Sequence, residues 1–358
     1  MRRMITALSG ITGKRKLLAQ TLNNTSVMSF FRLINSKNLV IINYHRIAGL
    51  NQSDTPFNHT MFGPTPDVLR QELTWMKAYG TPVSESELIS AMKGETKLPR
   101  HAFMVTFDDG YRDNYDLALP ILRELNIPAI FFIPTQAIEE RSLGWWEHVY
   151  WYLKQTTKTE ITLRGRTYVV PQPVTELGDT FNSQLKFGSA EENATFLNEL
   201  AAACDVAPPP KELCDKELMT WDQVRDCPSH GITIGAHTHS HRVLATLDVE
   251  MQRQELTTSK RLLEERLGQE VRSMAYPVGG YEHFNQETMV LARQCGYNLA
   301  FSFLTGTNQI GSLESYDIKR LDRQTDRSIL AGVFAMPWLF GKRSCASMAP
   351  RACAHTRS

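Results

Sequence analysis

Apolar runs bounded by polar loops recur along this 358-residue chain. Leu39 to Tyr44, Ala102 to Phe107, Ala129 to Ile133, Ile232 to Ala236, Arg272 to Tyr276 and Asn298 to Phe303 read as strands. Tyr316 to Leu321 reads as the last. Between them, apolar positions recur at helical spacing. Pro66 to Tyr79 has Thr65 as its N-cap, with Val68, Leu69, Leu73 and Met76 on one face. Ser84 and Glu87 form a capping box for a helix reaching Met92. Asn114 to Leu125, Val249 to Leu267 and Gln286 to Cys295 predict three more helices, with Gly268 and Gly296 as stops for the last two. This rhythm predicts an α/β fold with parallel strands. A barrel of β/α units is the leading architecture, and an open doubly wound sheet is the alternative.

The rhythm breaks between Pro134 and Gly231. That stretch holds an aromatic helix (Trp145, Trp146, Tyr150, Trp151, Tyr152), a hairpin around Gly165, a polar helix from Ala190 to Cys204, and the stop Pro208-Pro209-Pro210. A structureless loop of that length is rare in a compact domain, so residues 135–230 predict an insertion or lid. Residues 1–37 read as a basic helical segment, with Val27, Met28, Phe30, Phe31, Leu33 and Ile34 as a compact apolar cluster. The expected organisation is this segment, a main domain over 38–330, and a disordered tail over 331–358.

Charge alters the picture only at the ends. The net charge is +1, but no acid precedes Asp54 and none follows Asp326. Basic ends suit contact with an anionic membrane surface, and no nucleic-acid partner is expected. No run approaches the roughly 20 apolar residues of a membrane span, and no secretory signal is evident, so a cytoplasmic, membrane-peripheral location is expected. The six cysteines form no Cys-x-x-Cys pair and read as reduced thiols.

Three strand ends carry the chemistry: Asp108-Asp109-Gly110, His237-Thr238-His239-Ser240-His241 and Tyr276-Pro277-Val278-Gly279. In a β/α barrel such ends form the active-site face. Asp108 and Asp109 converge only if the chain is already turning, which Gly110 permits. His237 and His241 share one side of a helical turn or a tight loop, a common metal-ligand spacing. His239 is left outside that set. Trp145, Trp146 and Trp151 sit at helical spacing, which favours core packing over a ligand-stacking face.

In combination and order, these motifs resemble those of the NodB-homology polysaccharide deacetylases, carbohydrate esterase family 4. Thr106-Phe107-Asp108-Asp109-Gly110 and His237-Thr238-x-x-His241 match the first two motifs, and Ala275-Tyr276-Pro277-Val278-Gly279 is similar to the Tyr-Pro-x-Gly form of one branch. Tyr44-His45-Arg46-Ile47 resembles that branch's first strand. The resemblance implies a distorted barrel of about seven β/α units. It also implies metal-dependent removal of N-acetyl groups from amino sugars of a polysaccharide or its precursor. Asp109, His237 and His241 would bind a divalent metal, most simply Zn2+, and Asp108 would be the general base. A backbone N–H at Tyr111 or Arg112 would receive the oxyanion.

Two positions depart from that pattern. Ala275 stands where the family's third motif often has an Arg that orients the base, and no late Leu-x-His supplies a general acid. His45 and His283 are the candidate acids, Arg320 is the candidate replacement for the Arg, and Tyr276 is a candidate substrate contact. Two further readings stay open: a deacylase of a lipid-linked sugar at the cytosolic membrane face, and a catalytically impaired sugar-binding protein.

Overall fold

The computed structural model describes residues 2–23, 26–49 and 55–341. Six parallel strands lie side by side in chain order: β1 (Asn38–Tyr44), β2 (Ala102–Phe107), β3 (Ala129–Ile133), β4 (Ile232–Ala236), β5 (Ser273–Ala275) and β6 (Leu299–Phe301). A short β7 (Leu321–Asp322) pairs with the free side of β1, where Ile42 opposes Leu321. Just before it, the Ser302 N–H donates to the Ile318 carbonyl at 2.9 Å, and the Ile318 N–H donates to the Ala300 carbonyl at 3.1 Å. The segment from Ser315 to Asp322 therefore bonds to the last long strand at one end and the first at the other. The sheet curls into a distorted barrel.

Side-chain alternation explains why a curled sheet is stable here. Leu39, Ile41, Met104, Ile130, Phe132, Leu299, Phe301 and Ile318 form one buried cluster, the barrel interior. Val40, Ile42, Phe103, Val105, Phe107, Phe131 and Ile133 belong to a second, larger cluster shared with the helices. Both faces are buried, which is why the strands read as unbroken apolar runs. Several expected boundaries hold to the residue, including β2, β3, β4 and the Pro66–Tyr79 and Val249–Leu267 helices with their Thr65 and Gly268 caps. The Asn114–Leu125 helix differs, because it opens with a wider π turn over Asn114–Ala118. Pro120 has no N–H to give, and the Leu119 N–H reaches back to the Asn114 carbonyl instead.

The insertion is a folded unit with its own core. The aromatic helix α3 (Trp145–Gln155), a hairpin (Glu160–Leu163 with Arg166–Val169) and helices Thr175–Leu185 and Ala190–Cys204 bury Val149, Tyr150, Leu153, Ile161, Phe181, Phe196 and Leu200 together. The Thr175–Leu185 helix was not expected; it follows no capping residue, since Val174 precedes it and makes no side-chain cap. Buried Glu147 on α3 fastens this unit to the barrel. It accepts from Tyr111 Oη at 2.7 Å and from the Asn58 N–H at 2.6 Å, with Arg46 Nη1 at 3.7 Å. Arg46 also pairs with Asp113 at 3.0 Å and with Glu217, and its guanidinium lies 4.0 Å from the Phe62 ring centre and 4.4 Å from that of Tyr111.

At the N-terminal ends of the strands, α1 (Arg2–Asn23) and α2 (Ser26–Ile34) pack on α4 (Arg327–Ala335), which is followed by α5 (Pro337–Phe340). This corrects the expected tail boundary at 331. Leu330, Val333, Phe334 and Phe340 are buried, and Phe334 meets the rings of Tyr79 and Phe103, because the outward-facing apolar side chains of β1 and β2 need a cover. The rest of the expected tail, residues 342–358, lies outside the described residues, as do Cys345 and Cys353. The other four cysteines are free thiols. Among the described residues, no helix is long and apolar enough to cross a membrane.

Replacing Arg46 with Met would leave Asp113, Glu147 and Glu217 without their shared cation. Removing one partner of a buried ionic cluster costs about 3–5 kcal/mol. Denaturant unfolding of Arg46→Met at neutral pH is expected to show a loss of that order. A loss below about 0.5 kcal/mol, the range of an ordinary surface change, would show that the cluster does not hold the insertion in place.

Candidate metal and hydrolytic site

Alternation along β2 carries Thr106 and Asp108 to the inner face with Met104. The same rule points Asn43 inward from β1, and Arg320 inward beside Ile318. Asp109 has the opposite parity and reaches the site only through a turn. Its φ is 77° and that of Gly110 is 69°, both in the left-handed region. At the end of β4, His237 leads into a second tight turn, with Thr238 and His241 at φ 60° and 56°. Thr238 Oγ1 accepts the His241 N–H at 3.1 Å, and the Glu255 carboxylate accepts the N–H groups of His239 and Ser240 at 2.9 and 2.8 Å. The His-x-x-x-His pair thus comes together on a braced loop.

Asp109 Oδ1 lies 3.2 Å from His241 Nε2 and 3.5 Å from His237 Nε2. One ligand atom from each of the three residues falls within 4.8 Å of the others. His237 Nδ1 sits 2.8 Å from the Ala275 carbonyl, which can only accept. The proton is therefore assigned to Nδ1, and the Nε2 lone pair faces Asp109. Burial lowers the His237 pKa to about 4, with His241 adding to the effect and the two aspartates opposing it, so the ring is neutral near pH 7. Asp109 Oδ1 and His241 Nδ1 are buried and receive no aligned hydrogen bond. A buried carboxylate oxygen facing two imidazoles, with no donor of its own, is costly unless a cation joins them. One carboxylate and two imidazoles form a donor set suited to Zn2+ or a similar divalent ion.

Asp108 is held differently. Its Oδ1 accepts from Arg320 Nη1 at 2.7 Å and its Oδ2 from Asn43 Nδ2 at 3.0 Å. Arg320 also donates to Asn43 Oδ1 at 2.8 Å and to the Ser302 carbonyl at 3.0 Å, and it lies 5.5 Å from the ring centres of both Phe132 and Phe303. Burial alone would raise the Asp108 pKa. The Arg320 charge, helped by His237 and His45, outweighs it and holds the carboxyl below the usual carboxylate range. Asp109 is also lowered, with burial opposed by His241, His45 and His237. Both are ionised at neutral pH.

Of the two candidate acids, His45 is at this site. Its Nε2 is 3.9 Å from Asp108 Oδ2, its ring packs edge-on against Phe303, and it is partly exposed. The Asn114 side chain donates to the His45 carbonyl at 2.7 Å and fixes that strand end. His283 is placed elsewhere. Its Nδ1 accepts the Gly280 N–H at 2.9 Å, its ring stacks on Phe187, and it makes no ion pair with either aspartate. Tyr276 is also turned into packing. It is buried, its hydroxyl donates to the Tyr316 carbonyl at 2.9 Å, and its ring stacks 4.1 Å from Phe284. Gly279 (φ 74°) keeps the motif's turn, since a Cβ there would lie 2.5 Å from the Phe303 nitrogen. His239 stands outside the metal cluster, with Nδ1 2.9 Å from Thr135 Oγ1.

A cavity of about 170 Å³ opens beside the cluster, lined among others by Asp109, Tyr111, Leu143, Trp145, Trp146 and His241. Trp146 lies 4.4 Å from the His241 ring and donates its indole N–H to Tyr111 Oη at 2.8 Å. Trp145 meets Trp146 edge-on. Core packing was the expectation for all three tryptophans, but two of them wall this cavity. Trp151 packs on Phe57 and bonds to the Ala207 carbonyl. The sequence reading missed Asn43, Glu147 and the Tyr111 hydroxyl. Asn43 had left a signal, as a lone amide at inward parity in an apolar strand.

The polysaccharide deacetylase family profile matches residues 95–300, more than half of the chain. Among curated relatives, "Putative polysaccharide deacetylase YxkH" of Bacillus subtilis (strain 168) is 22% identical over 262 residues, 73% of this chain. The poly-beta-1,6-N-acetyl-D-glucosamine N-deacetylase of Escherichia coli (strain K12) is 31% identical over 93 residues, 26% of this chain. The alignments span 63% and 13% of those relatives' lengths. IcaB from Ammonifex degensii shares the fold, with a TM-score of 0.53 and 18% identity over 84% of this chain and 97% of that one. Strand-end motifs, barrel and profile agree, and the chain belongs to the NodB-homology polysaccharide deacetylase family.

Proposed function

We propose that the chain is a metal-dependent hydrolase that removes N-acetyl groups from amino sugars of a polysaccharide or oligosaccharide. The observation that carries this reading is the pairing of two aspartates with different partners. Asp109 faces two imidazoles, while Asp108 is anchored on Arg320. Adjacent in sequence, they are separated in role by parity and a left-handed turn. Asp109, His237 and His241 would hold a divalent ion, and Zn2+ fits the donors. The ion supplies Lewis acidity, which acidifies water and polarises an amide carbonyl.

The remaining chemistry belongs to the chain. Asp108, ionised and fixed at two oxygens, takes a proton from the attacking water. The oxyanion forms beside the Tyr111–Arg112 turn, where a backbone N–H can face it. His45, beside Asp108 and partly open to solvent, gives a proton to the departing amine. Acetate and a free amino sugar result, and water is the only co-reactant. Trp145 and Trp146 offer the sugar an apolar wall. The short match to an enzyme whose name states a poly-N-acetylglucosamine substrate makes that polymer the first to test.

Asp108→Asn should keep the metal and lose about 10²–10⁴-fold in turnover, the usual worth of a general base. Acetate release and bound-metal analysis on the same sample check this. Near-full activity would remove Asp108 from the role. Chelation should abolish acetate release and Zn2+ should restore it, while His241→Ala should fail to retain the ion at all. Metal binding without acetate release from any N-acetyl sugar would favour a sugar-binding protein instead.

Arg320→Lys tests the positioning of the base. Lys donates from a point charge and cannot reproduce the guanidinium's several fixed bonds. Weaker support raises the Asp108 pKa, so the acid limb of kcat/KM should move to higher pH while the metal content stays constant. An unmoved acid limb would show that Arg320 does not tune the base.

A further inference from the structure

The barrel end opposite the candidate site carries a surface that the hydrolytic reading leaves unused. α2 ends at Ile34 and β1 starts at Asn38. The His101 N–H donates to the Ser36 carbonyl at 2.9 Å, and Arg100 Nη2 donates to the Leu33 carbonyl at 2.7 Å. Asn35 Nδ2 bonds to the Ala335 carbonyl at 3.0 Å. α2 is therefore fastened where β1 and β2 begin, and the strands run from there to Asp108 and His237. A seven-residue strand covers about 20 Å, which separates this surface from the catalytic groups.

On that surface Phe30 is 62% exposed, Leu33 63%, Ile34 58% and Trp338 51%. Val27, Phe30 and Ile34 recur at helical spacing, while Met28 turns inward and is buried. The Phe31 ring meets Phe30 at 5.8 Å and Trp338 at 5.7 Å, so the α2 and α5 parts are continuous. Apolar side chains this large are uncommon in one exposed patch.

The charge around the patch names the partner. Beside it in sequence stand Lys14, Arg15, Lys16, Arg32 and Lys37, with no acid before Asp54. Lys16 is paired with Asp326, and Arg32 bonds the Ala78 and Tyr79 carbonyls, but Lys14 and Lys37 are exposed. A second copy of this chain would bring the same positive charge to the contact. An anionic bilayer brings the opposite charge and an apolar layer beneath it, the pairing that suits an amphipathic helix with aromatic residues and a basic rim. We propose that this end of the barrel docks on an anionic lipid bilayer, with the Asp108–Asp109 end facing away from it. A sugar confined to the headgroup layer of that bilayer is then out of reach. The substrate is a chain extending outward or one arriving from solution.

The test is co-flotation of the full chain with phosphatidylcholine vesicles, with and without phosphatidylglycerol. The wild type should float with the anionic vesicles and bind them about tenfold or more tightly than neutral ones, with loss at high salt. Phe30→Ser with Leu33→Ser should weaken binding at least about tenfold while the unfolding midpoint and acetate release stay unchanged. Lys14→Glu with Lys37→Glu should do the same if the first pair folds poorly. Brominated lipid should quench wild-type fluorescence more than that of Trp338→Phe. Absence of the wild type from anionic vesicles, undiminished flotation of both double variants, or equal quenching of Trp338→Phe would each overturn the proposal. So would a dimer in light scattering that Phe30→Ser with Leu33→Ser dissolves, because a second copy would then be the occupant.

Discussion

The ion pair between Arg320 and Asp108 is the constraint on which the site depends. Both side chains are buried, and moving two charges out of water costs several kcal/mol per ion unless geometry and further hydrogen bonds offset it. Here Arg320 bonds Asp108, Asn43 and the Ser302 carbonyl, and lies between two phenylalanine rings. Asn43 in turn bonds Asp108 and accepts from Thr106. This polar column fills the top of the barrel, above the apolar layer of Leu39, Ile41, Met104 and Phe132. It exists because the closing segment bonds to the last long strand before it reaches the first. Without that closure, Asp108 would be a buried carboxylate with no cation beside it and a raised pKa.

A second coupling ties the insertion to the same face. Tyr111 follows the Asp-Asp-Gly turn directly. Its hydroxyl donates to Glu147 of the insertion and accepts from Trp146, which lies on His241. One side chain therefore reports the position of the insertion to both walls of the cavity. Arg46 stands behind it with three carboxylates. The insertion is thereby a fixed wall of the cavity and not a loose loop beside it.

The four residues proposed as base and ligands were legible because they lie within short motifs at strand ends. Asp108 and Asp109 are neighbours, His237 and His241 are four apart, and strand alternation with a turn after each strand was enough to bring them together. Other placements needed distant partners. Arg320 was one candidate among surface-like charges until the inward parity of Ile318 and Arg320 met β1. Tyr276 and His283 sit beside the third motif, yet their ring partners Phe284 and Phe187 draw them into packing. Residues 331–341 read as tail because their apolar face has no meaning until the outer strand faces it covers are known. The Thr175–Leu185 helix lacked a capping residue, and packing against α3 stabilises it instead.

By itself the sequence determined the parallel α/β architecture, most strand boundaries and the local geometry of both proposed metal-ligating motifs. Those features follow from side-chain period, capping and turn chemistry, which act over a few residues. Tertiary structure decided which cation supports Asp108, which histidine stands beside it, which tryptophans wall the cavity, and which apolar helix face is left uncovered. Each of these depends on residues far apart along the chain, and their contact is set by how the barrel closes.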